Sequence, residues 1–211
     1  MNPGRFITFE GIDGCGKTTQ LRLLAEWLRK QGRTVVETVE PGGTDIGRQI
    51  RKILLDPANT AIHARTELML YFASRAQNVE EVIRPSLAAG HVVLCDRFTD
   101  YTLAYQGHGR GLEPDTILAL DRIACHGLRP DLTLLIDIDL ETSLTRARRR
   151  NARSGQEESR IDDEHASFHA RVRDGYLALA RHEPARFVVI DGRAPIDAVA
   201  RRVAEEIAAR V

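Results

Sequence analysis

Short runs of apolar residues alternate with longer amphipathic stretches along the whole chain. Five of these runs have the nearly continuous apolar content of strands that are covered on both faces. They are Arg5 to Glu10, Thr34 to Val39, His91 to Cys95, Leu132 to Asp137 and Arg186 to Asp191. Because strands and helices alternate with mostly short connections, we predict an α/β fold: a five-stranded parallel sheet with helices on both faces.

The stretches between the predicted strands have the periodicity of helices. The predicted helices are Thr18 to Lys30, Asp45 to Leu55, His63 to Ala88, Pro114 to His126, Glu141 to Arg150, Ser167 to His182 and Pro195 to Val211. One interval, residues 146–164, is rich in charged residues and poor in apolar ones. It is too short for a domain linker, so we predict an excursion from the sheet within one domain that spans residues 1–211.

Composition narrows the class of protein further. The 211 residues include thirty basic and thirty acidic side chains, a balance that gives no reason to expect a nucleic-acid or membrane partner. The three cysteines have no CxxC spacing, which argues against a disulfide framework. The chain shows neither a signal-peptide pattern nor an apolar run long enough to span a membrane, so we expect a cytoplasmic protein.

The segment from Gly11 to Thr18, Gly-Ile-Asp-Gly-Cys-Gly-Lys-Thr, matches the phosphate-binding pattern GxxxxGK[ST] at every fixed position. It lies between a predicted strand and a predicted helix, which is the context that the motif requires. Glycines let backbone N–H groups converge on phosphate oxygens, and the helix directs its positive end at the same anion. Lys17 would contact the β- and γ-phosphates, and the Thr18 hydroxyl would bind Mg²⁺. The sequence therefore predicts a bound nucleoside triphosphate with Mg²⁺.

A second polar pair, Asp96-Arg97, follows the third predicted strand, at the sheet edge where open α/β folds bind ligands. Asp96 is a candidate for the metal shell, and Arg97 for a clamp on a second phosphate; a structural ion pair is the alternative. None of the four asparagines is followed by lysine, so the Asn-Lys-x-Asp motif of a GTPase is absent.

Further motifs occur in an order that indicates a family. Phe9-Glu10-Gly11-Ile12-Asp13-Gly14 leads into Gly16-Lys17-Thr18-Thr19-Gln20, and Glu40-Pro41-Gly42-Gly43-Thr44, Asp96-Arg97-Phe98 and Ala104-Tyr105-Gln106-Gly107 follow. This ordered set resembles the thymidylate kinases, which transfer the γ-phosphoryl group of ATP to dTMP. The resemblance implies a phosphate-loop NTPase fold of three layers, a homodimer, ATP as donor and Mg²⁺ at Thr18 and Asp96. It also implies ATP contacts from Gly11, Ile12, Asp13, Gly14, Cys15, Gly16, Lys17, Thr18 and Thr19.

The same resemblance assigns the acceptor site. Arg51 and Arg97 would hold the dTMP phosphate, and the turn that begins with Glu40 and Pro41 would shape the pocket. Tyr71 and Arg75, four residues apart on one helix face, would contact the thymine base, with Phe72 as the alternative stacking ring. The other implied contacts are polar groups toward the base (Thr102 and Gln106), a ring that selects deoxyribose (Tyr105) and a carboxylate that reaches the sugar or the water shell of the metal (Asp13).

The arginine-dense interval, about 146–164, matches the lid of this family. Its arginines are Arg146, Arg148, Arg149, Arg150, Arg153 and Arg160. The phosphate loop contains no arginine, so the resemblance implies that the lid supplies the catalytic one, as in many bacterial members. Arg153 and Arg160 are the candidates, beside Lys17, Arg97 and Asp13. Closure of a lid excludes water, which would otherwise compete as phosphoryl acceptor.

The predicted reaction is direct in-line transfer from ATP to dTMP, which gives ADP and dTDP without a covalent enzyme intermediate. Two alternatives remain open at this point. One is another nucleoside monophosphate or deoxynucleoside kinase on the same fold. The other is a nucleotide-binding switch that moves a partner and has no acceptor.

Overall fold

Five parallel strands form the centre of the fold. The structure is a computed structural model and describes residues 4–143, 145, 146, 161 and 164–210. The strands are β1 (Arg5–Glu10), β2 (Val35–Val39), β3 (Val92–Asp96), β4 (Leu132–Asp137) and β5 (Phe187–Asp191). Their spatial order is β2-β3-β1-β4-β5, and all four neighbouring pairs are parallel. The predicted sheet is confirmed, and each strand boundary lies within one residue of the prediction.

Helices occupy most of the chain between the strands. They are α1 (Lys17–Lys30), α2 (Asp45–Leu55), α3 (Ala64–Asn78), α4 (Arg84–Ala88), α5 (Thr99–Thr102), α6 (Pro114–Cys125), α7 (Ala166–His182) and α8 (Ile196–Ala208). A π-helical turn, Val79–Ile83, joins α3 to α4, so the predicted helix over this region is continuous. Residues 140–143 are also helical, and the remainder of the predicted helix that begins there lies largely outside the described residues.

One helical segment is not predicted by the sequence pattern. It begins with α5 and continues as the π-helical run Leu103–Gly109. The segment contains two glycines, which disfavour helix in isolation. Here close packing requires them: a Cβ at Gly109 would lie 2.6 Å from the ring of Phe168, and one at Gly107 would lie 3.3 Å from Ile117. Tertiary contact with α7 and α6 therefore stabilises a segment whose local composition argues against helix.

Alternating side chains of β1 enter two apolar clusters on opposite faces of the sheet. Ile7 and Phe9 belong to a cluster that includes residues of α1, α7 and α8. Phe6 belongs to a second cluster, which includes residues of α3 and α6. Helices thus cover both faces, as predicted. None of the described helices is long and apolar enough to cross a membrane.

Candidate active site

The phosphate-binding loop connects β1 to α1. Gly11 and Gly16 have φ angles of 137° and 96°, and a Cβ at Gly11 would lie 2.4 Å from the carbonyl oxygen of Ile136. Glycine is therefore required at position 11. Gly16 is the N-cap residue of α1 and has no side chain to cap it, so the first N–H groups of this helix are available to an anion. Lys17 is buried at the start of the same helix.

The carboxylate of Asp13, within this loop, binds groups from three parts of the chain. Arg97 Nη2 donates to its Oδ1 at 2.5 Å, and the Tyr105 hydroxyl donates to its Oδ2 at 2.8 Å. Lys17 Nζ lies 3.9 Å from Oδ1. The backbone oxygen of Asp13 accepts from the Ser143 hydroxyl at 2.5 Å, which anchors the loop to the helical residues after β4. Burial, followed by Asp13, raises the pKa of Tyr105 well above its usual range, so Tyr105 remains a neutral donor.

Arg97 adopts a left-handed backbone conformation, with φ of 72°. Such a conformation costs about 1–2 kcal/mol for a residue with a Cβ. The guanidinium lies 4.3 Å from the ring centroid of Tyr101 and 5.1 Å from that of Tyr105, close enough for cation–π attraction. Its Nη1 atom is buried and has no hydrogen-bond partner among the described residues. The arginine is thus held under strain with one nitrogen available for an anion.

Asp96 and Thr18 provide oxygen atoms beside the loop. The Thr18 hydroxyl donates to Asp96 Oδ2 at 2.5 Å, and the buried Oδ1 of Asp96 has no partner among the described residues. Mg²⁺ prefers such oxygen ligands and takes the rest of its octahedron from phosphates and water. The pair therefore fits Mg²⁺. In the described part of the chain, no group of three or more His, Cys, Asp or Glu side chains is arranged to hold a metal.

Arg75 is fully buried and only partly hydrogen-bonded. Its Nη2 donates to the carbonyl oxygen of Phe98 at 3.0 Å and to the Thr102 hydroxyl at 2.8 Å. The guanidinium lies 4.8 Å from the ring centroid of Phe72. Its Nε and Nη1 have no partner among the described residues. Buried polar groups in folded proteins are nearly always bonded, so these two donors indicate a ligand acceptor at this point.

Tyr71 and Phe72, adjacent on α3, lie in different clusters. The Tyr71 hydroxyl is 2.9 Å from that of Tyr101, and Tyr71 shares its cluster with Tyr101 and Tyr105. Phe72 is in the opposite cluster, with Phe98. The structure therefore brings Tyr71, and not Phe72, into the group of rings that surrounds Arg97.

Gln106 connects the same region to a buried ion-pair network. Its Nε2 donates to Glu67 Oε1 at 3.1 Å, and its buried Oε1 has no partner among the described residues. Arg110 donates to both oxygens of Glu67, at 3.0 and 3.2 Å, and to Glu164 Oε1 at 2.6 Å. Glu164 is the last residue of the predicted lid, so this network ties the lid's end to Gln106.

The predicted turn at Glu40 and Pro41 is bonded to α3 through Asn78 and to α2 through Arg51. Glu40 is fully buried, and Asn78 Nδ2 donates to its Oε1 at 2.5 Å. Burial raises the pKa of Glu40 to about 7. Arg51 Nη1 donates to the carbonyl oxygen of Pro41 at 3.0 Å, which places this predicted phosphate ligand at the turn.

The family model for thymidylate kinase matches residues 9–203 of the chain. The thymidylate kinase of Geotalea uraniireducens is 53% identical over 209 residues, which are 99% of this chain and 98% of that protein. That of Geobacter sulfurreducens is 54% identical over 209 residues, with the same coverage of both chains. The chain belongs to the thymidylate kinase family. The crystal structure of thymidylate kinase from Ehrlichia chaffeensis superposes with a TM-score of 0.80, at 34% identity, over 97% of this chain and 99% of that one.

The predicted family, fold and enzyme class, a dTMP kinase, are thereby confirmed. The structure brings several of the predicted site residues into contact. Thr18 contacts Asp96, Asp13 contacts Lys17, Arg97 and Tyr105, and Arg75 contacts Thr102. Tyr71 and Tyr105 both contact Tyr101, Gln106 contacts Glu67, and Arg51 lies at the Glu40–Pro41 turn. Arg97 forms its ion pair with Asp13, and Asp96 accepts a hydrogen bond from Thr18.

Of the predicted lid arginines, Arg146 alone lies in the described residues, where its Nη1 donates to the carbonyl oxygen of Gly192 at 3.2 Å. The candidates Arg153 and Arg160, together with Arg148, Arg149 and Arg150, lie outside the described residues. Their assignments stay predictions.

Several residues of the site were not found from the sequence. The sequence around Tyr101 and Glu67 does not indicate a site. Glu67 lies within a predicted helix, and Tyr101 lies in a segment for which no element was predicted. Tyr176, on α7, is separated by 166 positions from its partner Glu10. Glu10 itself has a signal, since it is a polar residue at the end of an otherwise apolar strand.

Proposed function

We propose that residues 1–211 form one kinase domain that transfers the γ-phosphoryl group of ATP to dTMP in line, with Mg²⁺, through the residues assigned above. The observation that carries the proposal is the contact between Asp13 of the phosphate loop and Arg97 after β3. Because the Nη1 atom of Arg97 has no hydrogen-bond partner within the described ranges, the donor loop and a guanidinium that can bind an anion meet side chain to side chain. An enzyme that joins two phosphates needs this proximity.

On the donor side, the N-terminus of α1 and Lys17 would bind the ATP phosphates. Thr18 and Asp96 would hold Mg²⁺, which neutralises phosphate charge during transfer. Asp13 pairs with both Lys17 and Arg97, and so links the proposed donor cation to the proposed acceptor cation.

On the acceptor side, thymine offers carbonyl acceptors and one N–H donor. Arg75 offers the donors Nε and Nη1, and Gln106 offers the acceptor Oε1; none of these three atoms has a hydrogen-bond partner in the described part of the chain. These groups complement the base edge, and Tyr71 provides the stacking ring. Thr102 holds Arg75 in place through its hydroxyl. Arg51 completes the phosphate site from the Glu40–Pro41 turn.

Tyr105 would select deoxyribose. Its hydroxyl is bound to Asp13 and its ring centroid lies 4.2 Å from that of Tyr101, so the ring is fixed in position. A fixed ring beside the sugar leaves no room for a 2′-hydroxyl group.

At the other end of the site, the turn after β5 would bind adenine, since Arg146 is anchored there at Gly192.

Catalysis then consists of positioning and charge stabilisation, with the lid arginines Arg153 and Arg160 as the proposed contributors beside Lys17 and Arg97.

We also propose a homodimer. Three large apolar side chains are exposed on α2 and α3, which pack against each other: Ile46 at 51%, Ile53 at 48% and Met69 at 56%. Light scattering of Ile53→Glu and Met69→Glu variants tests this, with monomers as the expected result.

An acceptor panel tests the function. The purified protein with ATP and Mg²⁺ should form ADP rapidly with dTMP, and slowly with AMP, GMP, CMP or thymidine. Omission of Mg²⁺ should abolish turnover. A preference for another acceptor would reassign the substrate, and ATP hydrolysis that no acceptor stimulates would favour a nucleotide-binding switch.

A further inference from the structure

Glu10, the last residue of β1, is a buried carboxyl group that precedes the phosphate loop. Its Oε1 accepts from the backbone N–H of Phe98 at 2.7 Å, and its Oε2 accepts from the Tyr176 hydroxyl at 2.8 Å. Phe98 directly follows Arg97. The carboxyl group is therefore attached to the backbone of the strained arginine that we propose as the acceptor clamp.

Three hydrogen bonds fix the backbone around Arg97. Its own N–H donates to the carbonyl oxygen of Phe9 at 3.0 Å, and its carbonyl oxygen accepts from the Cys95 thiol at 3.0 Å. The third is the bond from Phe98 N–H to Glu10. A thiol is a weak donor, so the carboxyl group makes the stronger of the two side-chain hydrogen bonds. A left-handed arginine persists only when its surroundings over-determine it.

Tyr176 extends this connection to α7, the helix that follows the predicted lid. Its ring lies in the same cluster as Tyr105, and its hydroxyl donates to Glu10. The hydroxyl orients the carboxyl group so that Oε1 points at Phe98. Burial, followed by Asp100, raises the pKa of Glu10 to about 8, so an uncharged side chain of the same shape is a fair mimic near neutral pH.

We propose that Glu10 is a positioning residue for dTMP binding: through the N–H of Phe98 it holds Arg97 in the conformation that aims Nη1 at the acceptor phosphate, and Tyr176 holds Glu10. This rests on the proposed role of Arg97. The mechanism uses Glu10 only through the backbone, without contact between its carboxyl group and either substrate.

Glu10→Leu removes both hydrogen bonds and should raise KM for dTMP by about tenfold or more, while KM for ATP stays within about twofold. Glu10→Gln keeps an oxygen acceptor for Phe98 and a donor toward Tyr176, so it should restore KM for dTMP to within about threefold. Tyr176→Phe should raise it about threefold. Equal changes in the two KM values, or no rescue by Gln, would overturn the proposal.

The matched control is Thr8→Val. Thr8 lies on the same face of β1, two residues before Glu10, is fully buried, and is 2.9 Å from the Thr133 hydroxyl. Its loss removes a buried hydrogen bond of similar kind without touching Phe98. It should lower thermal stability and leave both KM values within about twofold, and a rise in KM for dTMP alone would show that any loss in this strand has the same effect.

A double-mutant cycle separates this proposal from the proposed function. If Glu10 acts through Arg97, then Glu10→Leu should add little to the KM of an Arg97→Ala variant. Additive effects would overturn the role of Glu10 and leave that of Arg97 intact. If Arg97→Ala alone leaves KM for dTMP unchanged, the assignment of the acceptor clamp fails instead. Should Glu10→Leu not fold, Tyr176→Phe takes its place in the cycle with the same two readings.

Discussion

Replacement of Arg75 by Met should separate substrate binding from stability. The guanidinium donates to the Phe98 carbonyl and the Thr102 hydroxyl, and its Nε and Nη1 have no partner among the described residues. Methionine retains an apolar stem that fits beside Phe72 and removes the charge. The free enzyme thus loses two hydrogen bonds but no longer buries an incompletely bonded cation.

The two effects on the free enzyme oppose each other, so the free energy of unfolding should change by less than about 1 kcal/mol. In the complex with dTMP, the base would bond the remaining guanidinium donors, so the substitution there only removes hydrogen bonds. A hydrogen bond from a charged donor contributes about 1.5–3 kcal/mol, which corresponds to a fall of about 10- to 150-fold in kcat/KM for dTMP. The value of kcat/KM for ATP at saturating dTMP should change much less.

The assay is coupled detection of ADP at varied dTMP, together with thermal unfolding in the absence and presence of dTMP. Arg84→Met is the matched control, because Arg84 lies on the same continuous helical run and donates to the carbonyl oxygens of Cys125 and His126, both at 3.0 Å. It should lose stability and keep its kinetics. A fall in kcat/KM for dTMP of less than about twofold in Arg75→Met would refute the assignment of Arg75 to the base.

Three further predictions follow from the site. Lys17→Ala should lower kcat by about 10²–10³-fold in the ADP assay, and normal turnover would remove Lys17 from the phosphate site. Tyr105→Ala should improve the use of ribonucleotide relative to deoxyribonucleotide acceptors; unchanged selectivity would contradict its role. The Glu40 pKa of about 7 lies above that of the unfolded chain, so folded protein binds more protons between these values. The contribution of Glu40 to the free energy of unfolding is therefore fully present below about pH 4.5 and is lost as the pH rises through 7. The loss amounts to about 3 kcal/mol. Denaturant titrations at several pH values should show a flatter profile for Glu40→Gln, and an unchanged slope would disprove the contribution of Glu40.

The sheet and the donor loop were predictable because their signals are local. A strand that is buried on both faces is apolar along nearly its whole length, and Phe6 to Phe9 and Leu132 to Ile136 are apolar except for Thr8 and Thr133. The phosphate loop needs glycines and one lysine at fixed spacing, since backbone N–H groups do the binding. The order of the acceptor motifs along the chain indicated the family, which no single acceptor residue could indicate.

The helical run after β3 was not predictable from its own composition. Its glycines have low helix propensity and pack closely against Phe168 of α7 and Ile117 of α6. The same holds for Glu67, which accepts from Gln106 and Arg110, and for Arg110, which also donates to Glu164, so that these bonds join three segments. Such contacts depend on tertiary placement, which a one-dimensional pattern does not contain.

The left-handed backbone of Arg97 has a consequence for anyone who seeks a more thermostable version of this enzyme. Substitution by glycine at such a position relieves about 1 kcal/mol of steric cost, so a protocol that scores backbone strain alone would select Arg97→Gly early. The change would also remove the ion pair with Asp13, which costs more than the relieved strain, and the proposed contact with the acceptor phosphate. Redesign of this scaffold should therefore exclude position 97 from the positions allowed to vary.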